Sequence, residues 1–509
     1  MTSTPGQETG SAAPKTRLGG TLRRLLGMSL VYGVGSVLTR GFAFLLLPVY
    51  TRHLSPSDYA VVALCLSVVA ILGVLFPLGL HGAVTRTYYQ PGTDGERRER
   101  AGTLWLAILA VGALFAFVLD QFGSGLTNLI APAVPFQPYI RLAIWTAFLN
   151  VFGLVPLVLF QLHERPSAYV ATTVGISLLT AGFILVLVVG YGLGAHGYLL
   201  GALIGAGIAA GPLALITLRN VRPVLRWDVL GPALAYSLPL VPHAFASWAL
   251  EMSDRALLTH FVSMEQLGVY SLGYQLGAAM GLVTAAFNNT WVPFLFQTLS
   301  TEGTEGNGKL ARVVSYFALV LCSIGLGWAL LVKPAMGLIA GPAFSEAYRV
   351  TPYVVAGYVF NGLYLIPVSL LFWRERTGSI PLVTVGAAAV NVGLNLWLVP
   401  RYGVMAAAWT TAVAYGVMLF LAWWSARRQY QFPYEYRRLG LTCGVAVALF
   451  LLARTPTYST LEVELAVSLG LLALYPVILV ALGVVDRSEV AETVAFIKAR
   501  VLPRWATET

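Results

Sequence analysis

Runs of predominantly apolar residues, each of a length near that needed to cross a membrane, follow one another along the chain from residue 26 to residue 485 with short polar breaks between them. A helix of roughly 17 to 25 apolar residues spans a hydrocarbon core of ~30 Å. Fourteen such windows occur, near 26–50, 59–84, 101–121, 139–161, 168–190, 196–218, 231–260, 267–296, 311–333, 350–373, 379–399, 404–426, 439–453 and 462–485. The pattern predicts an all-α polytopic membrane protein with about 14 transmembrane helices. Gly and Pro inside several windows, as in GVGSVLTRG, LPLVPH and FLNVFGLVP, mark close packing or kinks in lipid rather than helix ends.

Composition supports that solvent. The chain is 57% apolar and 11% charged, with a mean hydropathy of +0.75, more than a soluble core of this length needs. Charge then adds an orientation. With the N-terminus inside, 24 of the 32 lysines and arginines fall in cytoplasmic segments and six outside, leaving Arg40 and Arg255 in the membrane. Basic loops are retained on the cytoplasmic side, so both termini are expected there. The same bias explains the net charge of +10 without nucleic-acid binding. Residues 1–24 lack the apolar core and cleavage site of a secretory signal and read as a disordered cytoplasmic tail. At the other end, Val490, Val494, Ile497 and Val501 at helical spacing predict an amphipathic surface helix within 486–509.

Little room is left for chemistry outside the bundle. The longest external connections, 122–138 and 334–349, are short and carry no cluster of His, Asp or Glu. An embedded polymerase would be expected to use arginines on large external loops, so the chain is not expected to be an enzyme. Cys65, Cys322 and Cys443 lie far apart inside apolar windows, where a cysteine is by default a small buried hydrophobe. No cofactor or metal is implied.

An internal repeat divides the rest. Sliding the chain by 208 residues pairs 29–64 with 237–272 without a gap, matching Thr51 with Thr259, Ser55 with Ser263 and Val61 with Val269. A shift of 211 pairs YGLGAHGY (191–198) with YGVMAAAW (402–409). Two parallel six-helix lobes are expected, 25–220 and 221–430, with two extra helices in 431–485. Transporters built this way hold their site between the repeats.

The segments PVYTRHLSPSDYAVVAL, GLHGAVTRTYY, DRALLTHFVSMEQLGVYSLGYQLG and NVGLNLWLVPRYGVMAAAWTTAVAYG resemble the polysaccharide-transporter family of oligosaccharide flippases, over about residues 25–428. That family belongs to the multidrug/oligosaccharidyl-lipid/polysaccharide exporter superfamily. The resemblance implies two lobes around a cavity that opens alternately to each side. The cargo it implies is an undecaprenyl-diphosphate-linked oligosaccharide for surface polysaccharide or cell-wall synthesis, with a polymerase and glycosyltransferases as expected partners. A lipid II flippase, in which a similar extra helix pair forms a lipid-tail groove, and a multidrug or cation antiporter are the alternatives within the superfamily.

Against that background the charges inside the membrane acquire roles. An arginine at a span's centre costs ~2.5–3.5 kcal/mol on insertion scales, so Arg40 must face water or a partner. A guanidinium can grip a diphosphate through paired hydrogen bonds; the alternative is a structural carboxylate. Arg255, in the other lobe, is the second such residue, with Glu251 at i−4 and Asp254 adjacent as structural partners. Arg86, at the cytoplasmic end of the second window, matches an entry-side arginine of the superfamily, or is one more basic topology signal. Arg52 and His53 read as interfacial. Glu251, Asp254 and His243 are the candidates for a coupling proton or cation, although neutralising Arg255 is the simpler role for the two acids. Asn289, Asn361, Asn391 and Asn395 offer amides to a sugar or to neighbouring helices.

Overall fold

A computed structural model describes residues 31–35, 38–39, 41–455 and 460–485. Arg40, the N-terminal tail and the C-terminal surface helix lie outside the described residues. All regular elements within them are helices: α1 Leu47–His53, α2 Pro56–Leu75, α3 Leu80–Tyr88, α4 Asp94–Ile130, α5 Arg141–Val151, α6 Leu154–Leu162, α7 Pro166–Leu185, α8 Gly194–Asn220 and α9 Trp227–Ser237. Then follow α10 Val241–Leu258, α11 Met264–Ala278, α12 Met280–Thr301, α13 Asn307–Ile339, α14 Thr351–Trp373, α15 Ser379–Tyr402, α16 Val404–Arg427, α17 Tyr436–Arg454 and α18 Leu461–Ala481, with short 3-10 and π turns between some of them.

Twelve helices among the described residues are long and apolar enough to cross a membrane. The predicted window 26–50 includes residues outside the described ones. The window 267–296 falls on two helices, α11 and α12, that meet at Ala279. Large apolar side chains such as Leu45, Leu114, Phe117, Leu382 and Val477 are more than half exposed, as lipid-facing positions of a multi-pass membrane protein should be.

Two stretches expected as loops are largely helical. The 122–138 connection is helix as far as Ile130, because α4 starts at a capping box between Thr93 and Glu96 and runs for 37 residues until Pro132 stops it. The 334–349 connection contains the end of α13, which passes through Pro334, and a 3-10 turn over Pro342–Arg349.

The helices pack in two groups. In the first, α2, α5 and α8 lie against one another, with α7 on α8 and α4 on α5. In the second, α14 packs on α11, α12, α13 and α16, and α15 packs on α10 and α16. Helix α2 bridges them by packing on both α10 and α11. The last pair, α17 and α18, packs on α13. Lipid tails are as apolar as leucine, so close backbone approach and hydrogen bonds must hold such helices together. On α8, a Cβ added at Gly201 would lie 2.7 Å from the Ile184 nitrogen, and one at Gly205 would lie 2.5 Å from Thr180 Oγ1. Small residues four apart thus let α7 and α8 touch along their backbones.

Both repeat shifts land on matching local structure. Ser55 and Ser263, 208 apart, each cap a helix through a reciprocal capping box, with Asp58 and Gln266 at the same third position. Gly192 and Gly403, 211 apart, both turn the chain with positive φ, +65° and +58°.

Candidate functional site

Between the two groups lies a cavity of ≈ 540 Å³. One wall comes from α1, α2, α7 and α8, through Tyr50, Tyr59, Ser177, Thr180 and Tyr198. The other comes from α10, α11 and α14, through Glu251, Arg255, Ser271, Tyr274, Gln275 and Tyr358. Hydroxyls, an amide and the charged Glu251 and Arg255 interrupt a mostly apolar lining and can hydrogen-bond a polar cargo.

Arg255 sits on that wall with only 6% of its surface exposed. Its Nη1 donates to the Glu251 main-chain oxygen at 2.6 Å and to Asp254 Oδ1 at 3.1 Å, and its guanidinium lies 4.3 Å from the centre of the Tyr274 ring. Asp254 is 2% exposed; it also accepts from the Arg255 amide at 2.8 Å and from the Tyr270 hydroxyl. A buried ion pair with this many hydrogen bonds is held firmly in one geometry. Glu251 gives Arg255 its main-chain carbonyl, while its side chain is exposed on the cavity wall.

The other expected site residues are spread out. Arg86 is exposed and lies 4.6 Å from the centre of the Tyr236 ring, so it joins α3 to α9 beside a separate recess of ≈ 220 Å³. His243 shares a 2.8 Å hydrogen bond with Thr384 on α15 and does not line the cavity. Asn289 is exposed on α12 and does not line it either. Asn391 and Asn395 are both buried; Asn395 takes the interhelical role, accepting from Thr410 on α16 at 2.6 Å, while its Nδ2 donates to Asn391 Oδ1 within α15 at 3.1 Å. Arg52 and His53 are exposed.

Several residues at this site carry no sequence motif. Tyr59 donates a hydrogen bond to Gln275 across the two groups, and its ring lies 5.4 Å from that of Phe344. Thr51 Oγ1 accepts from the Gly341 amide at 3.1 Å. These contacts join the two groups beside the cavity. Trp248 Nε1 also joins them, donating to the Ser67 oxygen at 2.9 Å. A polar run inside an apolar helix, YSLGYQLG, is the signal that could have marked Tyr270, Tyr274 and Gln275. The structure also brings Cys322 Sγ within 3.7 Å of Cys443 Sγ, at the contact of α13 with α17.

A helical membrane protein with two groups of helices around one cavity has the architecture of a transporter. Residues 49–349 match the family described as "Polysaccharide biosynthesis protein", more than half of the chain, and the chain belongs to that family. It is 21% identical over 391 residues to the probable low-salt glycan biosynthesis flippase Agl15 of Haloferax volcanii, covering 75% of this chain and 79% of the relative. An uncharacterized membrane protein of Haemophilus influenzae is 22% identical over 382 residues, 72% of this chain and 89% of that one. Among solved structures, the lipid II flippase MurJ in an inward closed conformation superposes with a TM-score of 0.69 at 10% identity, over 89% of this chain and 99% of that chain. An inward-facing multidrug resistance MATE family transporter of the MOP superfamily superposes with a TM-score of 0.57 at 13% identity, over 80% and 97%. These superpositions show a shared fold.

Proposed function

We propose that the chain is a flippase that carries an oligosaccharide linked to a lipid diphosphate from the cytoplasmic to the outer leaflet of a bacterial inner membrane, without covalent chemistry. The observation that carries this reading is the cavity shared by two helix groups, with Glu251, Arg255 and several hydroxyls on its walls. Its ≈ 540 Å³ is within the usual range for a site that encloses a small ligand, enough for a few sugar units with their diphosphate. Family membership and the glycan flippase among its relatives support the cargo class.

In this reading the two lobes rock about the cavity, sugars and diphosphate cross inside it, and the lipid tail stays in the bilayer. Arg40 and Arg255 are the residues for the diphosphate, and Arg86 serves the cytoplasmic entry. Asp254 is buried against Arg255 and does not line the cavity, so Glu251, on the cavity wall, is the group that a coupling proton or cation in the cavity can reach. His243 and Asn289 support the fold around it. A polymerase and glycosyltransferases would act before and after transport.

Glu251 on the wall also favours a second reading, an antiporter of drugs or cations. Complementation separates the two. In cells that lack their own oligosaccharide flippase, the chain is expected to restore the surface glycan and to leave drug sensitivity unchanged; resistance without glycan would reverse the assignment.

A further inference from the structure

A recess of ≈ 260 Å³, distinct from the central cavity, opens at the basic end of the first helix group, between α3, the first turns of α4 and the ends of α6 and α8. Its walls carry Arg97, Arg98, Arg219 and His163, and Asp94 is the one carboxylate among them. Burial, and Arg165 nearby, hold His163 below the ordinary imidazole range. Three arginines against one carboxylate therefore leave the recess with a net charge of +2 at neutral pH.

Two of these arginines are held in place by the protein. Arg98 caps the end of α8, donating from Nη2 to the Arg219 oxygen at 2.7 Å and from Nε to the Asn220 oxygen at 3.1 Å. Arg97 reaches Asp94 Oδ1 at 3.4 Å through Nη1, and its guanidinium lies 5.6 Å from the centre of the Tyr88 ring. The same ring meets His163 edge-on at 5.8 Å. What remains is the Arg97 Nε, a buried donor with no partner. A buried polar group without a partner calls for an explanation, and a guanidinium N–H bonds most strongly to an anionic oxygen. Basic pockets between membrane helices on the cytoplasmic side are suited to phosphate headgroups.

We propose that this recess binds a phosphate-class anion, with the accessible part of the Arg97 guanidinium as its principal donor and Arg219 supplying further positive charge. The phosphate can come from an anionic lipid headgroup or from free phosphate. Neither source requires Arg40, Arg86 or Arg255, so the inference stands apart from the cargo assignment.

The test uses the full chain, purified and placed in phosphatidylcholine nanodiscs, and reads its melting temperature. Phosphatidylglycerol is added to the disc in one arm, and inorganic phosphate to the buffer at constant ionic strength in the other. The increment is compared in the wild type, in Arg97→Gln/Arg219→Gln, and in the control Arg427→Gln/Arg428→Gln, which removes two exposed charges elsewhere. We expect a rise in the wild type and the control that is lost in the recess variant. A rise with the lipid alone identifies a headgroup; a rise with phosphate as well identifies a free anion. Arg97→Lys keeps the charge but lacks the guanidinium's paired donors, and is expected to lose most of the increment if the double variant does not fold. Equal increments in all variants, or none in the wild type from either source, would overturn the proposal.

Discussion

Arg255 directs its guanidinium to its own helix and to the Tyr274 ring, and Asp254 depends on it for neutralisation. Arg255→Ala would leave a carboxylate buried with only the Tyr270 hydroxyl and an amide as donors. Breaking one side of a buried pair costs on the order of 3–5 kcal/mol, while removing both partners costs far less. Melting of the purified proteins should therefore fall sharply in Arg255→Ala and recover in part when Asp254→Ala is added. Arg40→Ala is expected to behave differently. If Arg40 grips a diphosphate, alanine abolishes glycan export with the melt unchanged, and Arg40→Lys rescues only partly because a point charge lacks the paired donors. Loss of melt and export together would assign Arg40 to the structure instead. The presence of a deep arginine at 255 is legible in the sequence because the cost of a charge in lipid demands a partner. Its choice of partner is not. Helical spacing favours the Glu251 side chain, since neighbours one apart do not face each other, yet the long guanidinium folds back to Asp254 and to the main-chain carbonyl of Glu251.

Among the elements, α2 and α11 make the closest crossing between the two helix groups. A Cβ added at Gly268 would lie 1.8 Å from the Pro56 carbonyl oxygen, and neither backbone can yield without parting the helices. The Thr51–Gly341 and Tyr59–Gln275 hydrogen bonds lie along the same seam. Gly268→Val should wedge this end open and shift the population toward a cavity that faces outward. A cysteine placed at Gln275, in a background without Cys65, Cys322 and Cys443, should then react faster with an impermeant thiol reagent in intact cells. No change in labelling would show that the seam is not the outer gate. The existence of these helices follows from apolar length, but their ends do not. Capping boxes at Thr93 and Ser263 set two of the starts, and a backbone break separates α2 from α3, where Leu78 and Gly79 both take positive φ, +47° and +72°. A window of hydropathy cannot see such a break because the residues in it stay apolar. The cavity is hidden for a related reason: Tyr59, Tyr198 and Gln275 converge only once the groups are packed.

For the whole molecule, the distribution of charge makes the most general prediction. Arg86, Arg97, Arg98, Arg219, Arg226, Arg427 and Arg428 gather at the connections expected to be cytoplasmic, whereas the seam through Thr51, Pro56 and Gly268 lies at the ends of windows expected outside. Retention of basic segments inside and closure at the opposite end then describe one state, sealed toward the outside. The termini test the frame on which this depends. Cysteines introduced at Pro5 and Thr507, again without the native three, should resist an impermeant reagent in intact cells and react once the membrane is permeabilised. That result requires an even number of crossings, which both fourteen and twelve satisfy. Labelling of one terminus alone would require an odd number and would break the even-span arrangement. Labelling of both would keep the repeat and invert it, placing the Gly268 seam inside and the recess of Arg97 on the outer face.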